Sequence, residues 1–336
     1  MRLLLIKTSS LGDVVHVLPA LSDALRAQPS LRVDWVVEEP FAPIAALHTA
    51  VETAIPVAIR RWRKHLLEDR TRQEWRSVKA QLRVRPYDLI LDAQGLIKSA
   101  FLGWQARGPR AGLNWNSARE PIASLSYHLK YTVARALPAI ERNRLLMAQA
   151  LGYEVDRDAP RYGIDRRKIH CSASAPDPHP PRVFCFHGSA RPEKCRPENN
   201  WIDLGRMLTQ QGLALCFPSG NPQEHARAER IASSIQGSVP VDAPLPMPLQ
   251  MLIPELSRAK AVVGVDTGLL HLSAALGLSG VGIFLSTRPE QFGAIGDGDG
   301  DGDGDGNTNH PAFINLGQNA SLQVEAVHAA VQRVLR

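Results

Sequence analysis

Short apolar runs alternate with helix-like segments along the whole chain. Strands are predicted at residues 2–7 (RLLLIK), 32–38 (RVDWVVE), 54–58 (AIPVA) and 87–93 (YDLILDA). Beyond an interruption they recur at 182–188, 213–220, 239–243, 261–268 and 281–286. Residues 14–27 keep Val14, Leu18, Leu21 and Leu25 on one face, which predicts a helix bent at Pro19. This alternation predicts an α/β fold of parallel sheets flanked by helices. The interruption, CSASAPDPHPPR at 171–182, holds four prolines and two serines and reads as a stiff linker. It separates an N-terminal Rossmann-like domain, 1–170, from a C-terminal one, 183–336, and two such halves are expected to face each other across a cleft. Within the second half, GDGDGDGDGDG at 296–306 reads as a solvated surface insertion, since the calcium-binding nonapeptide pattern is absent.

In open α/β sheets ligands bind beyond the carboxyl ends of the strands. Four turns there carry chemistry: TSSLGD (8–13), HGSARPEK (187–194), PSGNPQEH (218–225) and VDTGLLHL (265–272). In the last, Asp266 or Thr267 can cap a helix, Gly268 admits a close ligand, and the helix end with His271 suits a diphosphate. An ordinary capped helix with a core histidine fits the same residues equally well. Ser189 and Lys194 add a hydroxyl and a cation, and Glu224 could accept from ribose hydroxyls. Singly, Lys194 is an ordinary surface lysine and Glu224 a first-turn acid; together the three turns read as a nucleotide site. Neither GxGxxG nor GxxxxGK[ST] occurs, which argues against NAD and against ATP hydrolysis.

Charge sharpens this picture. The chain carries a formal net +6, yet residues 60–85 alone hold ten Lys/Arg against three Asp/Glu. Such a field attracts an anion: nucleic acid, acidic lipid or a phosphorylated substrate. Aromatic residues make up 6% and no RNP or KH pattern is present, so nucleic acid is disfavoured. The run RRWRK places Arg60, Arg61, Arg63 and Lys64 after a strand, with Trp62 suited to a membrane interface. The apolar run at 3–6 is too short for a signal peptide, and nothing approaches the ~20 apolar residues of a membrane span. A cytoplasmic protein touching a membrane only from its side is expected. The four cysteines show no metal spacing and read as reduced thiols; Cys195, beside Lys194, is the one with a reactive setting.

Several segments closely resemble the ADP-heptose glycosyltransferases of family 9, and in particular their lipopolysaccharide heptosyltransferase I members. They are KTSSLGD, WVVEE, IPVAIRRWRK, LDAQGLIKSA, AREPIASL and VDTGLLHLSAAL. The resemblance runs from residue 1 to about 290 and implies a GT-B fold. It also implies a metal-independent, inverting transfer of heptose from ADP-L-glycero-β-D-manno-heptose to a Kdo sugar of Kdo-lipid A, without a cofactor, on the cytoplasmic face of the inner membrane. By the same resemblance Asp13 matches the catalytic base. Ser9, Ser10, Ser189, Lys194, Glu224, Asp266, Thr267, Gly268 and His271 match donor contacts, and Arg60, Arg61, Arg63 and Lys64 are expected to meet an anionic acceptor. The resembled enzymes carry two threonines where this chain has Ser189 and Ala190. The alternatives are another nucleotide-sugar enzyme of the same fold, either a different heptosyltransferase or a nucleotide-sugar epimerase, and a basic anion-binding protein.

Overall fold

A computed structural model describes residues 1–156, 160–169, 182–235, 237, 239–296, 313–317 and 322–336. The chain divides into two compact units, Met1–Lys168 and Ile169–Arg336. The expected linker lies outside the described residues up to Arg182, which already begins a strand; the Gly-Asp run beyond Gly296 also lies outside them.

The first unit is a six-stranded, all-parallel sheet. Its strands are β1 (Arg2–Ile6), β2 (Arg32–Glu38), β3 (Val51–Val57), β4 (Leu89–Asp92), β5 (Arg110–Leu113) and β6 (Leu129–Tyr131). They lie in the order β3-β2-β1-β4-β5-β6. The helices are α1 (Leu11–Val15), α2 (Leu18–Ala27), α3 (Ala42–Leu47), α4 (Ile59–Trp62), α5 (Asp69–Arg83), α6 (Ile97–Gln105) and α7 (Ala139–Leu151). A parallel sheet must be covered on both faces, so its central strand is apolar from its second residue onward: Leu3, Leu4, Leu5 and Ile6 are all fully buried.

The second unit repeats the plan. Its strands are β7 (Arg182–Phe186), β8 (Ala214–Cys216), β9 (Val241–Asp242), β10 (Ala261–Val265), β11 (Gly280–Ile283) and β12 (Ile314–Leu316), in the order β12-β11-β10-β7-β8-β9. Its helices are α8 (Glu198–Thr209), α9 (Pro222–Ser233), α10 (Leu249–Leu256), α11 (Gly268–Ala275), α12 (Pro289–Phe292) and α13 (Val324–Leu335). Both sheets therefore have the doubly wound order 3-2-1-4-5-6. The winding reverses between β1 and β4 in one unit and between β7 and β10 in the other.

The expected helix over 14–27 is two helices. Chain direction changes at His16 and Val17, and Pro19 sits in the first turn of α2, where a missing N–H costs nothing. Proline thus starts a helix here and does not bend one. Strands β5, β6 and β12 were not anticipated from the apolar pattern. Among the described residues no helix is long and apolar enough to cross a membrane.

The last segment of the first unit is tied back by a buried histidine. His48 Nδ1 accepts from the Ala50 amide at 3.0 Å, so Nε2 carries the proton and donates to Ser22 Oγ at 3.0 Å. Gly163, at φ +60°, passes so close that a Cβ would stand 2.6 Å from Nε2. Burial is the main cause that lowers the His48 pKa to about 3, with Lys168 adding to it. The folded ring stays neutral while the unfolded one charges below its ordinary value of 6.5. Its contribution is therefore intact above pH 6.5 and is lost as pH falls toward 3. Between about pH 7.5 and pH 5.5 the unfolding free energy is expected to drop by about 1.4 kcal/mol through this group. Urea titrations of the wild type and His48→Gln at both pH values check this: the variant must lose that part of the slope.

Candidate functional site

In the first unit the turn after β1 is built from hydrogen bonds to the end of β4. The amides of Thr8 and Ser9 both donate to Gln94 Oε1, at 3.0 and 3.2 Å. Gln94 is itself placed by Asp92, the last residue of β4. That buried carboxylate accepts from the amides of Gln94 and Gly95, from Ser99 Oγ at 2.8 Å and from Tyr127 Oη at 2.7 Å. Burial pushes the Asp92 carboxyl upward, and these donors oppose the shift.

The turn delivers Asp13 to the third position of α1. One carboxylate oxygen, Oδ2, accepts from the Ser10 amide at 2.8 Å and from Ser10 Oγ at 3.1 Å. The other, Oδ1, lies 4.0 Å from Lys7 Nζ. Lys7 is buried and donates to the Ala93 carbonyl at 2.9 Å; desolvation lowers its pKa against the pull of Asp13 and Asp92. Lys7, Asp13, Gln94, Arg119, Arg142 and Asn143 line a cavity of about 120 Å³. Burial also lowers the Arg142 pKa. Three cations around one carboxylate suit a small anionic ligand with a hydroxyl to present to Asp13.

Of these residues the sequence singled out only Asp13, Ser9 and Ser10. Ser9 is buried under Gln94, and Ser10 serves Asp13 as its cap. Lys7 had a signal that was passed over, a charge directly after a fully apolar central strand. Arg142 and Asn143 come from α7, whose sequence carries no mark of the site.

In the second unit three turns meet on one carboxylate. Lys194, in the 3₁₀ turn Pro192–Lys194 after β7, donates to Asp266 Oδ2 at 2.5 Å. Thr287, beyond β11, donates to the same oxygen at 2.7 Å, and His271 Nε2 lies 3.8 Å from Oδ1. Burial alone would raise the Asp266 carboxyl, but hydrogen bonds from His271, Lys194 and Thr287 outweigh it and hold it far below the usual range. Lys194 is no solvated surface lysine, for only 16% of its side chain is exposed. Thr267 is the N-cap of α11 by position, yet its side chain makes no capping bond. The first two amides of α11, those of Gly268 and Leu269, have no partner inside the helix, while those of Leu270 and His271 donate to the Thr267 carbonyl.

Glu224 joins a fourth turn to the group. It lies in the first turn of α9, where its amide donates to Asn221 Oδ1 at 2.9 Å and its Oε2 accepts from the Gly220 amide at 2.8 Å. Its carboxyl packs against Gly188; a Cβ there would meet Glu224 Cδ at 3.0 Å, which is why glycine follows His187. Ser189 sits on the same turn, its Oγ accepting from the Arg191 amide at 3.4 Å. Cys195 is half-buried, with Sγ 3.8 Å from the Ser189 carbonyl. Cys185 and Cys216 are buried, and burial raises the Cys216 thiol to about 12. Among the described residues no three His, Cys, Asp or Glu are grouped to hold a metal ion.

The basic segment divides into two roles. Arg60, Arg63 and Lys64 are exposed. Arg61 is half-buried between Glu39, at 3.1 Å, and Glu74, at 2.9 Å, and so braces α4. Trp62 does not face outward as its composition suggested. It is buried in the core with Val78 and Leu82, and its Nε1 donates to Glu74 at 2.7 Å. Ile59 and Trp62, three apart, form the inner stripe of the short helix, and the apolar residues left outside are Leu66 and Leu67.

Comparison with known proteins follows the same lines. The family model for glycosyltransferase family 9 (heptosyltransferase) matches residues 75–301. Lipopolysaccharide heptosyltransferase 1 of Pseudomonas aeruginosa is 46% identical over 298 residues, 88% of this chain and 82% of the relative. Among solved structures, Escherichia coli heptosyltransferase WaaC with ADP matches with a TM-score of 0.85 and 38% identity, covering 99% of this chain and 100% of that one. The same enzyme with ADP-2-deoxy-2-fluoro heptose matches with a TM-score of 0.80 and 37% identity, covering 99% and 98%.

The Lys194–Asp266 pair yields a direct test. Removing one partner strands the other, whereas removing both leaves neither charge unpaired. Lys194→Met and Asp266→Asn are each expected to cost about 2–3 kcal/mol of unfolding free energy, and the double variant clearly less than both losses combined. Strictly additive losses in urea denaturation would deny the coupling.

Proposed function

From the membership of this chain in glycosyltransferase family 9, the heptosyltransferases, we propose how its two units divide the work of one transfer. The protein is a GT-B-fold glycosyltransferase that moves heptose from ADP-heptose in lipopolysaccharide inner-core synthesis. The donor is ADP-L-glycero-D-manno-heptose, held by the second unit. Its diphosphate lies against Lys194, His271 and the first amides of α11, beside Thr267 and Gly268. The ribose hydroxyls donate to Glu224, and Ser189 adds a hydroxyl. Asp266 contacts no phosphate; it fixes Lys194 and His271 where the anion arrives.

The acceptor is the Kdo sugar of Kdo-lipid A, held by the first unit. The observation that carries this reading is the carboxylate of Asp13 inside a cavity lined by Lys7, Arg119 and Arg142. An acid sugar brings a carboxylate for the cations and a hydroxyl for the base. As that hydroxyl oxygen bonds to the anomeric carbon, the carbon–oxygen bond to the diphosphate breaks and its electron pair leaves on ADP. The proton passes to Asp13, and configuration inverts in the single displacement. Exposed Arg60, Arg63 and Lys64 meet further anionic groups of the acceptor, while Arg61 supports them from its ion pairs. The enzyme works without metal or cofactor, peripherally on the cytoplasmic face of the inner membrane.

Product analysis after mixing the protein with ADP-heptose and Kdo-lipid A tests the assignment; ADP must appear only when acceptor is present. Asp13→Asn keeps size and polarity but removes basicity, and turnover is expected to fall by about 10²–10⁴ with ADP-heptose binding retained. A variant with near-normal turnover would remove Asp13 from the reaction. Because Lys194 and the α11 amides neutralise the leaving diphosphate, EDTA is expected to leave the rate unchanged. A strict need for added magnesium would contradict that part of the scheme.

A further inference from the structure

The first unit exposes an apolar face that the transfer reaction does not use. Along α6, Ile97, Phe101 and Trp104 fall on one side at helical spacing, and Ile97 and Trp104 are 51% and 64% exposed. The 3₁₀ helix Pro121–Ser126 packs beside α6 through Ala100, Ala123 and Tyr127. It adds Ile122 and Leu125, three apart and 57% and 68% exposed. Large apolar side chains scattered singly on a surface need no explanation, but a cluster on two packed elements does.

Aromatic contacts tie this face to the core, and basic residues flank it in the chain. Phe101 stacks on Trp75 of α5 with ring centroids 5.5 Å apart, and Trp75 meets buried Trp62 edge to face at 5.9 Å. The aromatic column anchors the exposed rings to the core. Lys98 and Arg107 stand at the two ends of α6, Arg76 follows Trp75, and Arg83 reaches the Gln105 carbonyl at 3.1 Å. The nearby carboxylate of Glu120 is occupied by the Ile97 amide, at 2.7 Å. Over the whole unit, Met1–Lys168, 27 Lys/Arg stand against 17 Asp/Glu, a formal +10. The second unit has 12 against 16.

We infer that the face formed by α6 and the 3₁₀ helix Pro121–Ser126 beds into the interfacial layer of an anionic lipid bilayer. An apolar stripe with aromatic residues and a basic rim suits that layer: rings and aliphatic chains enter the headgroup boundary while cations meet lipid phosphates. Position supports the same occupant. Gln94 and Arg119 line the Asp13 cavity, and each stands three residues before the first exposed apolar residue of its element, Ile97 and Ile122. A lipid-borne acceptor lying in the bilayer would thus present its sugar at the edge of that cavity. This last point rests on the acceptor proposed above; the bilayer contact itself does not.

The test uses the full-length protein without donor or acceptor. Binding is measured by co-sedimentation with vesicles of phosphatidylethanolamine and phosphatidylglycerol, and with vesicles of phosphatidylcholine alone. The wild type is expected to bind the anionic vesicles, less so as salt is raised, and phosphatidylcholine weakly. Ile97→Gln/Trp104→Gln/Leu125→Gln is expected to weaken anionic-vesicle binding by about tenfold or more. Its circular dichroism and its kcat/KM with a lipid-free Kdo acceptor should stay as in the wild type. Quenching by lipids brominated on their acyl chains should be present in the wild type and reduced in Trp104→Phe. Wild-type vesicle binding by the triple variant, or no quenching of Trp104, overturns the inference. So does a stable dimer that the triple variant dissociates while neither protein binds vesicles. Loss of transfer with vesicle binding intact counts only against the proposed reaction.

Discussion

The reversal of winding at the centre of each sheet is the constraint on which the rest depends. Between β1 and β4, and again between β7 and β10, neighbouring strands send their connections to opposite faces. The carboxyl ends of those two strands are where the connecting turns diverge and open a crevice. Both groups of chemistry-bearing residues sit there. The turn after β1 meets the end of β4 through Gln94, and the turn after β7 meets the end of β10 through Lys194. The apolar central strands fix this geometry because they cannot shift without exposing residues buried on both faces.

The two crevices use the same parts for different ends. Each has a lysine from the turn after its first strand and an aspartate at the end of its fourth. In the second unit the pair closes: Asp266 takes the proton donors of Lys194, Thr287 and His271, and a fixed cation is held beside the α11 amides. In the first unit Asp92 spends its oxygens on Ser99, Tyr127 and two amides. Lys7 is left to a carbonyl and to Asp13 at the outer limit of an ion pair. Desolvation weighs on Lys7 and Arg142 alike, and Asp13 offsets part of it at both. One crevice joins its lysine and aspartate in a direct pair; the other gives them separate partners.

What the sequence revealed follows from this division. Strands β1, β2, β4, β7, β10 and β11 show as apolar runs because both of their faces are covered. Strands β5, β6 and β12 are three or four residues long, with Arg110, Lys130 and Asn315 among them, and only pairing within the sheet makes them strands. Asp13, Lys194, Asp266 and His271 were legible because each follows an apolar strand by a few residues. Gln94 was not, since its task is to hold two amides of a turn some 85 residues away in sequence. Trp62 was misplaced because a dense basic run says nothing about which side of a one-turn helix faces the core. The spacing of partly buried Ile59 and buried Trp62, set against Val78 and Leu82 of α5, decides it.

The stretch from β4 into α6 shows how closely chemistry and surface are joined. Within six residues the chain passes from Asp92, which fixes the loop, through Gln94, which holds the turn leading to Asp13, to Ile97 on the apolar face. Gly95 turns the backbone at φ +67°, against the Arg119 amide that starts the second arm of the same surface. Ser99 closes the circuit by hydrogen-bonding Asp92 from inside α6. A continuous run of hydrogen bonds therefore leads from α6 through Asp92 and Gln94 to the amides of Thr8 and Ser9. The helix has an exposed apolar side and a hydrogen-bonded side toward Asp92, so nine residues serve both the surface and the loop that Asp92 fixes.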